Sequence, residues 1–186
     1  MSLHIILGPM YSGKTSMLIS QNIIEKNNKR KPMIIDFKKS SDEDNNMIGY
    51  MENHDNQRVN NVYKIDFLMN YDILGIVENH DTILINEAQF FESLDKFVDY
   101  CLIRNKNVYL YGLDGDFQRK PMGHILSLIP KCDTVTKLNG MCYNCKINLS
   151  IFSHRTCDNK DQVLFDHNQY VPLCRKCYYL ANSPNP

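Results

Sequence analysis

The chain has 186 residues, 43% of them hydrophobic, with 21 basic and 21 acidic side chains and a formal net charge of zero. That length holds one domain, or one domain with a small appendage, and the apolar content suffices for a buried core. The charge balance argues against a nucleic-acid partner gripped through its phosphates, and the apolar runs are too short to span a membrane.

Met1-Ser2-Leu3-His4 leads without a leader segment into a predicted strand over residues 3–7, so an intracellular chain is expected. Next comes Gly8-Pro9-Met10-Tyr11-Ser12-Gly13-Lys14-Thr15, with the G-x-x-x-x-G-K-[ST] spacing of a phosphate-binding loop. The glycines let backbone N–H groups close on phosphate oxygens. Lys14 brings a positive charge to the β- and γ-phosphates, and the Thr15 hydroxyl can ligate Mg²⁺. A helix predicted from Lys14 onward adds the anion preference of its N-terminus. Lys29-Arg30-Lys31, at the helix end, reads as a solvated edge rather than a nucleic-acid groove.

Further strands are predicted at 32–37, 82–85, 107–113 and 134–138. Leu94, Phe97, Val98, Cys101 and Leu102 recur at helical spacing, giving an amphipathic crossover between the third and fourth of these five strands. Helices alternating with apolar strands imply an α/β fold with a parallel sheet. Residues 39–61 are polar, rich in Asn and Asp, and without a clean period. They read as a long functional loop.

Ile83-Leu84-Ile85-Asn86-Glu87 puts polar residues at the carboxyl end of a buried strand, where ligands of parallel sheets bind. Glu87 is the candidate general base for a substrate hydroxyl; a solvated glutamate after a strand is the plainer alternative. Asp114, after the fourth strand, either orients Mg²⁺ through water or closes a turn with Gly115.

From Asn139 the helix–strand rhythm stops, and a boundary is placed there: a nucleotide-binding domain at 1–138 and a small module at 139–186. Cys142-x-x-Cys145 and Cys174-x-x-Cys177 can supply four thiolates to a structural Zn²⁺; a pair of redox dithiols is the competing reading. Cys101 reads as a small buried hydrophobe. The segment from Lys131 onward carries seven basic and four acidic residues, weak support for a nucleic-acid-binding zinc module.

These elements together resemble the type II thymidine kinases of animal cytosol, bacteria and large DNA viruses. The phosphate loop with its Pro9-Met10, the Asn86-Glu87-Ala88-Gln89-Phe90-Phe91 element, Leu113-Asp114-Gly115-Asp116-Phe117-Gln118-Arg119-Lys120-Pro121, Leu126-Ser127-Leu128-Ile129-Pro130, and Tyr170 to Tyr178 with its cysteine knuckle occur in the family's order. The resemblance implies a P-loop domain plus a zinc-ribbon-like module carrying a lasso loop. It also implies transfer of the γ-phosphoryl group of ATP to the 5′-hydroxyl of thymidine, a salvage route to dTMP. Glu87 would be the base, and Gly8 to Thr15 with Asn86 and Gln89 would form the ATP and phosphate site. Met10, Phe90, Leu113, Phe117, Met122 and Tyr170 would surround the thymine. Mg²⁺ with ATP, structural Zn²⁺, a homotetramer, dTTP as feedback inhibitor and a cytoplasmic location (the host cytoplasm for a viral chain) complete the expectation.

Three departures stand out. Asn86 replaces the acidic residue expected before the glutamate, which questions metal handling and leaves a weakened nucleoside-binding relative as an alternative. Phe165-Asp166-His167-Asn168-Gln169 precedes Tyr170 where the lasso usually carries a Gly-Gly pair. The family's Asp-x-Arg pattern after the second strand is missing, with Asp42 or Asp44 as candidate substitutes, and Arg155 is the candidate for the family's arginine after the first knuckle.

Overall fold

The fold follows from strands that are apolar on both faces. In the computed structural model, which describes residues 1–38 and 47–183, alternate residues of each central strand feed two separate cores, as the period of two requires. On one face Leu3, Ile5, Met33, Ile35, Ile83, Ile85, Val108 and Leu110 join Phe91, Phe97 and Val98. On the other, Ile6, Ile34, Leu84 and Tyr111 pack against Leu18 and Ile19. Full burial of each large aliphatic side chain is worth about 1.5–3 kcal/mol, so a one-residue register slip in any strand would exchange the two sets.

The elements run β1 (Ser2–Leu7), α1 (Lys14–Asn27), β2 (Pro32–Phe37), β3 (Ile48–Glu52), β4 (Arg58–Ile65), α2 (Tyr71–Glu78), β5 (Thr82–Ile85), α3 (Leu94–Ile103), β6 (Asn107–Gly112) and β7 (Thr134–Lys137). They form one seven-stranded sheet in the order β3-β4-β2-β5-β6-β1-β7. All neighbours are parallel except the β3–β4 pair. The short elements β8 (Gly140–Met141), β9 (Leu149–Ser150), β10 (Phe152–Arg155), β11 (Tyr170–Leu173) and α4 (Arg175–Asn182) follow. They pair as β8–β9 and β10–β11 outside the main sheet.

The five predicted strands and both predicted helices are present. The long polar stretch differs from expectation where it is described: residues 39–46 lie outside the described residues, and from Ile48 onward it holds β3 and the start of β4. Asn61 explains why no period was visible. Gly49 pairs with Val62 and Tyr50 with Asn60, so Asn61 is an extra residue with φ 61°, a bulge. Buried Val59 and Val62 are therefore three apart instead of two. Asp42 and Asp44 lie outside the described residues.

Glu25 ties α1 to the sheet from within. Only 1% exposed, it accepts hydrogen bonds from Thr82 Oγ1 of β5 at 2.7 Å, Gln21 Nε2 at 2.7 Å and Arg30 at 3.1 Å. Burial disfavours its charge, but these donors outweigh that and hold the carboxyl below its ordinary range.

Candidate active site

β1, β2, β5 and β6 deliver their carboxyl ends to the same sheet edge, and each brings a functional segment there. Gly13 takes a left-handed conformation, φ 85°, that turns the loop into α1, and no side chain caps the helix. Its first N–H groups are thus left for a ligand. Lys14 Nζ donates to the carbonyls of Gly8 at 3.0 Å and Pro9 at 2.8 Å. Burial pulls the ammonium down from its ordinary value, while Glu87 and Asp114 act in the opposite sense. Ser12 Oγ is buried in the loop without a hydrogen-bond partner, which suits a hydroxyl aimed at an anion.

Glu87 follows β5 in a left-handed conformation, φ 50°, at a cost of about 1–2 kcal/mol for a residue with a Cβ. Gln89 stabilises this placement. It is 3% exposed, its Nε2 donates to Glu87 Oε2 at 2.6 Å and its Oε1 accepts from Leu113 N at 3.0 Å. The carboxylate is thereby fixed between the ends of β5 and β6. Gly123, φ 57°, lies so close behind that a Cβ there would sit 1.8 Å from Gln89 O. Gln89, expected at the phosphates, contacts Glu87 and Leu113 and does not line the cavity.

One cavity of about 820 Å³ is lined by Met10 to Thr15, Asn86, Glu87, Phe90, Leu113, Phe117, Met122 and Tyr170. It thus brings together the expected base, most of the phosphate loop and all six expected base-contacting residues. Asp114 is not in its wall; its carboxylate pairs with Lys137 of β7, and the turn is closed by Gly115 bridging to Pro121.

The segment between β10 and β11 roofs the cavity with Val163, Leu164, Phe165 and His167. Phe165 packs on Phe90 with ring centres 5.2 Å apart, and both meet Phe37, at 6.3 and 5.1 Å. The missing glycine pair is compensated. The described residues of the roof use no left-handed backbone; Asp166 Oδ1 instead accepts from Asn168 N at 3.0 Å and starts a 3-10 turn, His167–Gln169.

Arg155 is the strut of this roof. It is 4% exposed and donates to the carbonyls of Asn159, Asp161 and Gln162 and to Tyr170 Oη. Its guanidinium lies 3.9 Å over Phe117. Arg155 is the arginine expected after the first knuckle, whereas Asp116, Gln162 and Ser153 were not expected at the site. Asp116 accepts from Gln118 N, Lys120 N and Gln162 Nε2 at 2.8–3.0 Å. Ser153 Oγ accepts from Met10 N at 2.9 Å, docking the phosphate loop on β10. An Asp two and four residues before its donors was the available signal for Asp116; nothing local marks Ser153.

The ligand atoms of Cys142, Cys145, Cys174 and Cys177 all lie within 4.8 Å of one another. A tetrahedral zinc with bonds of about 2.3 Å needs sulfurs about 3.8 Å apart, and Cys145 and Cys174 are at 3.9 Å. The cluster fits zinc and packs on Leu173 and Tyr178. Cys101, by contrast, is fully buried in the sheet core, and burial pushes its thiol up to about 12.

A glycine-flanked loop between a buried parallel strand and a helix, facing a strand-end carboxylate across one cleft, defines a P-loop nucleotide-binding fold. Sequence comparison narrows the class. The profile of the family described as thymidine kinase matches residues 1–178, and the chain belongs to that family. Similar proteins include the thymidine kinase of Choristoneura fumiferana entomopoxvirus, 35% identical over 196 aligned positions with full coverage of both chains. The thymidine kinase of sheeppox virus (strain KS-1) is 32% identical, covering 96% of this chain and 97% of that one. Thymidine kinase 1 of Dictyostelium discoideum is also 32% identical, over 95% of this chain and 77% of its own.

Proposed function

We propose that the chain is an ATP-dependent thymidine kinase of deoxynucleoside salvage. The observation that carries this reading is the shared cleft: Lys14 and Thr15 line one part of its wall, Glu87 the sheet edge, and an aromatic and thioether cage the remainder. A flat methylated base suits the cage of Met10, Phe90, Phe117, Met122 and Tyr170, closed by the roof. The triphosphate suits the loop and the N-terminus of α1.

In the reaction, Glu87 accepts the proton of the nucleoside 5′-hydroxyl as its oxygen bonds to the γ-phosphorus. The bond from that phosphorus to the β,γ-bridging oxygen breaks, releasing ADP. Lys14 and the loop N–H groups stabilise the charge on the transferring group, and Gln89 keeps the base in position. Mg²⁺ would be held by the Thr15 hydroxyl and the strand-end polar residues, supplying charge neutralisation for the phosphates. Zn²⁺ on the four cysteines would be structural, since every ligand position is filled by protein.

The division at residue 139, a homotetramer, inhibition by dTTP and a cytoplasmic location belong to the same reading. Among the described residues no helix is long and apolar enough to cross a membrane. Purified protein incubated with ATP, Mg²⁺ and each deoxynucleoside in turn tests the proposal. Thymidine monophosphate and ADP in equal amounts are expected. ATP hydrolysis without any nucleoside monophosphate would reject it.

A further inference from the structure

In phosphate-loop folds the cation of a nucleoside triphosphate is held by the loop hydroxyl and by an aspartate at the end of a nearby strand. Here the residue after β5 is Asn86, an amide without charge. A carboxylate is nevertheless present beside it, carried by the adjacent strand. Ile35 and Ile85 are paired in register, and Asn86 N donates to Ile35 O at 2.8 Å. Asp36, the next residue of β2, therefore lies next to Asn86 at the sheet edge. Asn86 Nδ2 donates to Asp36 Oδ1 at 2.8 Å, which fixes the carboxylate and leaves the amide oxygen as a further acceptor.

Both residues line the cleft with Thr15, Lys14 and Glu87. Four ion pairs form among the described residues, and Asp36 is in none of them. Lys64, its register partner on β4, also lines the cleft and acts on Asp36 through its charge, but forms no ion pair with it. Asp36 is thus a half-buried carboxylate in the triphosphate cleft with an oriented neighbour and no cation in contact.

We propose that Asp36, oriented by Asn86, supplies the carboxylate with which this site holds the divalent cation of its nucleoside triphosphate. The negative charge has moved one strand sideways, and the amide at position 86 relocates the cation's anchor rather than deleting it. The proposal rests on the reading of the cleft as an ATP site.

The test uses the full chain, Mn²⁺ as the probe and a non-hydrolysable ATP analogue, with free and bound Mn²⁺ read by electron paramagnetic resonance. Asp36→Asn is expected to weaken Mn²⁺ binding about tenfold or more, with the metal-free affinity for the analogue within about twofold. The exchange Asp36→Asn with Asn86→Asp, which returns the carboxylate to the β5 end, is expected to restore Mn²⁺ binding. An Asp36→Asn protein that folds and binds Mn²⁺ as the parent does overturns the proposal. Where circular dichroism shows that variant unfolded, an anomalous-difference map of the unaltered protein with Mn²⁺ and the analogue decides. Manganese touching Asp36 directly or through one water supports the assignment; manganese farther from it refutes it. If the unaltered protein binds no analogue at all, the ATP reading falls and this one with it. If the analogue binds and Asp36→Asn changes nothing, only the relocated carboxylate falls.

Discussion

Gln89 Nε2 lies 2.6 Å from Glu87 Oε2, and the same amide's oxygen receives the Leu113 N–H. One side chain thereby sets the separation between the carboxylate after β5 and the strand end of β6. Gln89→Ala should lower kcat about tenfold to a hundredfold and leave the nucleoside KM within about threefold, because the group lost positions the base and does not bind substrate. Steady-state kinetics on thymidine check this, and an unchanged kcat would remove Gln89 from the mechanism.

Arg155 offers a different signature. Its fork satisfies three main-chain carbonyls and Tyr170 at once, a geometry that a lysine ammonium cannot reproduce. Arg155→Lys should raise the thymidine KM about tenfold and change the ATP KM by less than about twofold. Equal effects on both substrates would mean that the arginine serves general stability instead of the roof.

Removing zinc should act through the same roof. The knuckles anchor β11, whose Tyr170 lines the cleft. Cys145→Ser, or a strong chelator, is expected to lower the melting temperature by several degrees and to weaken nucleoside binding more than nucleotide binding. Elemental analysis of the native protein should find about one zinc per chain. A metal-free protein of unchanged stability would leave the cysteines to redox chemistry.

Glu25 gives a pH dependence with a definite sign. Its carboxyl titrates lower in the folded chain than the ordinary value of about 4.3. Its contribution is therefore complete above the ordinary carboxylate range and is lost as pH falls through the lowered folded value. Glu25→Gln should cost about 1–3 kcal/mol at pH 7, with the gap to the parent closing below about pH 4. Thermal melts of both proteins from pH 7 to 3 read this directly; a gap independent of pH would contradict it.

The parallel strands could be read from sequence because each is a short apolar run bounded by polar residues, and the phosphate loop because its spacing is nearly unique to one task. The β3–β4 hairpin could not, since a single bulged residue, Asn61, breaks the period of two on which strand reading depends. Glu87 is legible as a strand-end acid, whereas the contacts of Gln89 with Glu87 and Leu113 are not, because nothing in the sequence says which way an amide two residues on will turn. Asp36 went unremarked for a related reason. Its meaning depends on β2 lying beside β5, and 50 positions separate it from Asn86. Such relations between strands distant in sequence arise only from the sheet order.

Tyr11 Oη of the phosphate loop donates to the main-chain oxygen of His167 in the roof, at 3.0 Å. The tether engages backbone, so it survives whatever residue type occupies position 167. Drift in that segment's composition need not loosen the cover over the cleft, and the two halves of the cleft remain mechanically joined. Any movement that parts the roof from the phosphate loop has to break this clasp, so the two walls of the cleft are coupled through a single phenol.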